Sequence, residues 1–144
     1  MRVYEVMSKD VETVKPGVLA SEAKTRMRQQ QIHHLVVTRG GALAGIISDR
    51  DLGGAKLPKS LGTSTVEDLM TAPVVTVTSR TPVRRAAALM KGRSIGSLVV
   101  TSANGKVAGI VTVSDLLELV ARKPERRSHR ELRRGAEPDE AWED

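Results

Sequence analysis

Two short steps in this sequence carry groups that could hold a ligand, Ser48-Asp49-Arg50-Asp51 and Thr112-Val113-Ser114-Asp115. Each sets a hydroxyl three residues ahead of a carboxylate, directly after an apolar run (Gly45-Ile46-Ile47 and Gly109-Ile110-Val111). If the run is a strand and the step opens a helix, free N–H groups and the positive end of the helix dipole favour a phosphate there. The hydroxyl can add one more hydrogen bond to it. The carboxylate, an acceptor only, can take the two hydroxyls of a ribose. The same spacing is that of a helix capping box, in which both side chains serve the backbone instead. Repetition does not separate the two readings, because caps would repeat too. Arg50 and the pair His33-His34 could contact a phosphate, or be the solvated start of a helix and of a strand.

Other chemistries are poorly represented. The chain has no cysteine, which removes disulfides, thiolate metal sites and cysteine nucleophiles. Neighbouring residues on a strand point to opposite faces, so His33 and His34 are badly placed to chelate one metal. The one other histidine is His129, and no metal site is expected. No nucleophile–base pair has a supporting context, Gly40-Gly41 reads as a turn and not a phosphate loop, and no catalytic residue is expected. At 144 residues the chain is too short for a (β/α)8 barrel of about 250. With Tyr4, Trp142 and no Phe it lacks the aromatic platforms that stack bases. No stretch reaches the roughly 20 apolar residues of a membrane span. The start, Met1-Arg2-Val3-Tyr4-Glu5, is not a signal peptide, so a cytoplasmic location is expected.

The net charge of +6 lies wholly in residues 1–121, since residues 122–144 carry seven basic and seven acidic side chains. A basic body suits anionic ligands, although it also serves solubility.

An internal repeat supplies the elements that must position these groups. At an offset of 63, Val3, Met7, Val11, Thr13, Val14, Ala23, Met27, Ile32 and Leu35–Thr38 recur as Val66, Met70, Val74, Thr76, Val77, Ala86, Met90, Ile95 and Leu98–Thr101. At 64, Ala44, Gly45, Ile46, Asp51 and Leu52 recur as Ala108, Gly109, Ile110, Asp115 and Leu116. Two copies are too few for a solenoid, so a packed pair is expected.

Each copy reads β-α-β-β-α. A short strand (Val11–Val14; Val74–Val77) leads to an amphipathic helix with a stripe through Leu19, Ala23 and Met27, or through Val83, Ala87 and Lys91 beside Ala86 and Met90. Thr81 and Pro82 suit the cap and first position of the second of these helices. A wholly apolar strand follows (Leu35–Val37; Leu98–Val100), then a hairpin turn at Gly40-Gly41 or Asn104-Gly105. A returning strand (Leu43–Ile47; Val107–Val111) ends at a helix opening at Ser48 or Thr112. The expected organisation is a first repeat over 1–55, a linker over 56–65, a second repeat over 66–121, and a charged, flexible tail over 122–144.

With Val6-Met7 and Leu69-Met70 opening the copies, the Leu-Val-Val strands in the middle, and Gly-Ile-Ile-Ser-Asp-Arg-Asp-Leu and Gly-Ile-Val-Thr-Val-Ser-Asp-Leu closing them, residues 3–120 resemble a pair of CBS domains. The resemblance implies an α/β (α+β) fold, a tandem of β-α-β-β-α repeats packed with pseudo-twofold symmetry (a Bateman module), here standing alone. It implies homodimers, and clefts that bind AMP, ADP, ATP, S-adenosylmethionine or dinucleotides. The family's ribose-phosphate step falls on Ser48/Asp51 and Thr112/Asp115. By the family's pattern Thr112/Asp115 work with Thr13, Val14, His33 and His34, and Ser48/Asp51 with Thr76, Val77 and Ser97. His33-His34-Leu35 is similar to the His-Arg-Leu of nucleotide-binding members, whereas Gly96-Ser97 is not, so the Asp115 cleft is expected to be the better phosphate binder. IMP dehydrogenase activity, seen in proteins that contain such a pair, is excluded by the missing barrel and cysteine.

Three functions fit. The first is a non-catalytic sensor of adenosine-type ligands that regulates another protein. The second is a ligand-independent dimeric adaptor in which both steps are only caps. The third is a nucleic-acid-associated protein acting through its charge, which the neutral tail disfavours.

Overall fold

The computed structural model describes residues 1–53 and 62–122. After a single 3-10 turn at Val3–Glu5, the elements are β1 (Thr13–Val14), α1 (Ala20–Gln30), β2 (His34–Arg39), β3 (Ala42–Ser48), α2 (Val66–Leu69), β4 (Thr76–Thr78), α3 (Val83–Arg93), β5 (Ser97–Thr101), β6 (Val107–Thr112) and α4 (Val113–Ala121). They form two three-stranded sheets, β1-β2-β3 and β4-β5-β6. In each the first pair is parallel and the second antiparallel, and the register repeats. Thr13 stands opposite Val36 as Thr76 does opposite Val99, and Val37 opposite Gly45 as Val100 opposite Gly109. A parallel pair needs a crossover, which α1 and α3 supply.

The patterning explains the layout. β2 and β5 are the middle strands, so both of their faces are covered, and Leu35–Val37 and Leu98–Val100 are at most 1% exposed. Ala20, Ala23 and Met27 bury the inner face of α1, and Ala86 and Met90 that of α3. Both helices end on a left-handed residue, Gln31 and Ser94, and then turn into the next strand. The hairpins turn at Gly40-Gly41 and Gly105, all with positive φ.

Three local expectations are corrected. Leu19 is not on the buried stripe but is the extended N-cap of α1, 42% exposed. Thr81 does not cap α3: Pro82 is its N-cap, and the Thr81 hydroxyl accepts from the Thr78 N–H, closing the preceding turn. No helix follows Ser48 within the described residues, where Asp49–Gly53 is a turn held by short-range bonds such as Gly53 N–H to Arg50 O. Residues 56–61 of the expected linker and 123–144 of the expected tail lie outside the described residues, while Thr65 caps α2.

The packing units are not the sequence repeats. Val3, with Val6 and Met7, packs into the core of the second sheet, formed by Val77, Ala86, Met90, Leu98, Val100 and Val111. Val66, with Leu69 and Met70, packs into the core of the first, beside Met27, Leu35, Val37 and Ile47. Each repeat thus lends its opening segment to the other, a reciprocity that an approximate twofold requires. Backbone bonds fasten both loans. Val3 N–H donates to Thr81 O at 2.8 Å, and Ser8 and Ile110 exchange bonds at 2.9 and 3.0 Å. Val66 N–H donates to Val18 O at 2.8 Å, and Thr71 and Ile46 exchange bonds at 2.8 and 3.1 Å. The approach is close enough to require glycine: a Cβ on Gly109 would sit 2.8 Å from Ser8 O, and one on Gly45 3.0 Å from Thr71 O, with a methionine sulfur pressed on each.

Candidate functional site

Both hydroxyl–carboxylate steps are reciprocal capping boxes. Thr112 Oγ1 accepts from Asp115 N at 3.2 Å while Asp115 Oδ2 accepts from Thr112 N at 2.8 Å. Ser48 and Asp51 repeat this at 3.1 and 2.9 Å, over a turn instead of a helix. A cap uses only part of each side chain. The second carboxylate oxygen of Asp51 and of Asp115, and the hydroxyl protons of Ser48 and Thr112, have no partner among the described residues. One acceptor and one donor therefore remain at each step for a bound molecule.

Each step opens into a cleft of ligand size, which is about 300–1,000 Å³. The Asp51 cleft, of about 720 Å³, is lined by Ser48, Arg50 and Asp51 and, across it, by Pro73, Val74, Val75, Gly96 and Ser97 of the second repeat. The Asp115 cleft, of about 350 Å³, is lined by Thr112, Ser114 and Asp115 and, across it, by Asp10, Val11, Glu12 and Ile32 of the first. Ser97 lines the Asp51 cleft, and His33 and His34 reach the Asp115 cleft.

Thr13, Val14, Thr76 and Val77 line neither cleft. Val14 and Val77 are core residues, and Thr13 and Thr76 are held in ladders against Val36 and Val99. The walls come instead from the residues just upstream, Val11-Glu12 and Val74-Val75, at the entry to β1 and β4.

His33 and His34 are not the property of one cleft: both line both. His34 opens β2 opposite Ser48. Burial pushes its imidazole below the usual 6.5, with His33 adding to the effect and Asp51 opposing it. The shift favours the uncharged imidazole. Asp49 holds this corner in place. Its N–H donates to His33 O at 2.9 Å, and its Oδ1 accepts from Lys24 Nζ at 2.8 Å. Lys24, only 6% exposed on α1, holds the Asp49 carboxyl below its ordinary range through this hydrogen bond and then its charge, against the opposing pull of burial.

The charges around the two clefts run against the expectation that the Asp115 cleft is the phosphate binder. That cleft collects Asp10, Glu12 and Asp115, with no lysine or arginine among the described residues that line it. The Asp51 cleft carries Arg50, whose guanidinium pairs with no described residue, and its second acid, Asp49, is neutralised by Lys24. Sequence reasoning missed Asp10, Glu12 and Lys24, which read as ordinary surface charges until the fold is known.

Two α+β repeats that exchange their opening segments and enclose a cleft beside each Ser/Thr-x-x-Asp step define a paired-repeat module. The family model described as CBS domain matches residues 3–55 and again 66–122, and the chain belongs to the CBS-domain family. It is 35% identical over 130 residues to a CBS domain-containing protein of Dictyostelium discoideum, covering 82% of this chain and 90% of that one. It is also 31% identical to a homoserine O-acetyltransferase of Methanohalobium evestigatum, but spans only 24% of that enzyme's length against 82% of its own. Among solved structures it superposes on a CBS domain pair in complex with 5′-methylthioadenosine and S-adenosyl-L-methionine. That match has a TM-score of 0.77 at 29% identity and covers 86% of this chain and 98% of that one. An uncharacterised conserved protein of Pyrococcus horikoshii superposes with a TM-score of 0.76 at 28% identity, covering 85% and 94%. No helix among the described residues is long and apolar enough to cross a membrane.

Proposed function

We propose that this protein is a non-catalytic regulatory module that binds adenosine-type ligands (AMP, ADP, ATP or S-adenosylmethionine) in the clefts beside Asp51 and Asp115. The observation that carries this reading is the pair of half-used capping boxes, each presenting a carboxylate oxygen and a hydroxyl proton to a cleft of ligand size. The solved pair with two bound adenosine compounds supports the ligand class. We read the module as a homodimer that controls a further protein. The outer side of α4 supports the dimer, because Val113, Leu117 and Val120 form an exposed apolar stripe at helical spacing and a second copy would cover it.

One observation favours a second reading: both steps are complete caps, as a ligand-free adaptor would need. Thermal unfolding against AMP, ADP, ATP and S-adenosylmethionine decides between them. A ligand at about 100 times its dissociation constant adds about 2.7 kcal/mol. The sensor reading expects a rise in midpoint, of which Asp51→Ala and Asp115→Ala each remove the share due to their own cleft. The adaptor reading expects no rise for wild type and a loss of about 0.5–2 kcal/mol for each variant.

A further inference from the structure

We infer that the two clefts are sorted by ligand charge: the Asp51 cleft takes a phosphorylated adenosine compound, and the Asp115 cleft takes an uncharged or cationic one. The inference rests on the adenosine reading above and assigns a ligand class to each cleft.

The capping bonds are alike in the two clefts, and the histidine wall is shared, because His33 and His34 border both. Among the described residues only the Asp115 step opens a helix, α4, and the roughly half positive charge of its N-terminus is outnumbered by the carboxylates around it. What differs is the rest of the rim. Arg50 stands at the Asp51 cleft as an exposed guanidinium without an ion-pair partner among the described residues, a rigid fork suited to phosphate oxygens. Opposite it are Val75 and Ser97, which bring no negative charge. At the Asp115 cleft the corresponding wall is Asp10 and Glu12, exposed carboxylates that no described cation neutralises. With Asp115 they make three negative charges around a smaller space. A phosphate dianion placed there would meet three repulsions, and a sulfonium or ammonium three attractions.

The test uses the full chain and titration calorimetry with three probes: AMP, 5′-methylthioadenosine and S-adenosylmethionine. Asp51→Ala leaves the Asp115 cleft as the intact one, and Asp115→Ala leaves the Asp51 cleft. The Asp51→Ala protein is expected to bind 5′-methylthioadenosine at least tenfold more tightly than AMP, and S-adenosylmethionine no more weakly than 5′-methylthioadenosine. In the Asp115→Ala protein AMP is expected to bind at least as tightly as 5′-methylthioadenosine.

Exposed charges give a second arm that spares the caps. Asp10→Asn with Glu12→Gln in the otherwise natural chain should tighten AMP binding at the weaker site at least fivefold and leave 5′-methylthioadenosine unchanged. Arg50→Gln should weaken AMP at the tighter site about tenfold. Equal AMP to 5′-methylthioadenosine ratios in the two clefts, or no response to the exposed-charge variants, would overturn the sorting while leaving the adenosine reading intact. Failure of all three probes to bind the wild-type chain would overturn both.

Discussion

Gly109→Ala strikes the point where the two repeats exchange segments. The added Cβ would lie 2.8 Å from Ser8 O and 2.9 Å from Met7 Sδ. The sulfur could swing aside, but Ser8 O is backbone and accepts the Ile110 N–H at 3.0 Å, so the oxygen can retreat only by loosening that bridge. Overpacking of this kind costs about 1–3 kcal/mol. If the strain instead peels the segment away, Val3 leaves a fully buried site, and exposing a valine costs about 1.5–3 kcal/mol. Either route gives about 1–3 kcal/mol. At roughly 3–6 °C per kcal/mol for this chain length, the midpoint should fall by roughly 3–18 °C. Urea unfolding read by circular dichroism should show the same loss at an unchanged slope. Gly17→Ala is the control, since a Cβ there meets nothing within 4 Å and should shift stability by less than about 0.5 kcal/mol. The damage should also be directional. Ser8, Asp10 and Glu12 wall the Asp115 cleft, so Gly109→Ala should weaken ligands there and spare the Asp51 cleft, and Gly45→Ala should do the reverse through Thr71 and Val74. A Gly109→Ala protein as stable as the Gly17→Ala control would refute the close-approach reasoning.

Other perturbations have different signs. Gly92 lies in the last turn of α3 with open space where its Cβ would be, so Gly92→Ala should raise stability by about 0.5–1 kcal/mol in the same urea assay. His34 takes up a proton less readily folded than unfolded, so its contribution to stability falls as pH drops below 6.5 toward its depressed folded value. His34→Gln should therefore lose less midpoint than wild type between pH 7.5 and pH 5.5, and an equal loss would remove His34 from the acid response. Leu117→Asp places a charge in the middle of the exposed α4 stripe, where Leu117 is 63% exposed. Sedimentation should show a monomer of near-native stability, and an unchanged assembly would place the dimer elsewhere.

Much of the fold is legible in the residues because the chain states its pattern twice. Consecutive apolar residues at Leu35–Val37 and Leu98–Val100 mark strands covered on both faces, and those are the middle strands. The capping steps are equally local and stand where their spacing puts them. Less legible was who covers whom. Apolar spacing marks Val3 and Val66 as buried but does not name the core that receives them. The repeated glycines Gly45 and Gly109 were a clue, since only a close approach demands them inside a strand. The cleft walls failed for a related reason: Thr13-Val14 match the repeat better than Asp10 and Glu12, yet pairing in the sheet withdraws them from the cleft. Lys24 escaped because its partner, Asp49, is distant in sequence and meets it only once β3 has returned beside α1.

The exchanged opening segments bear on how such a chain could arise and be taken apart. A lone first repeat would hold a core lacking Val66 and an opening arm with no core to enter. Two separate copies could repair each other only by meeting in solution, so their folding would depend on concentration. Fusing them into one polypeptide makes that encounter intramolecular, with an effective concentration in the millimolar range for short tethers. Severing the chain between residues 53 and 62 should therefore leave two fragments that complement each other when mixed and fold poorly apart.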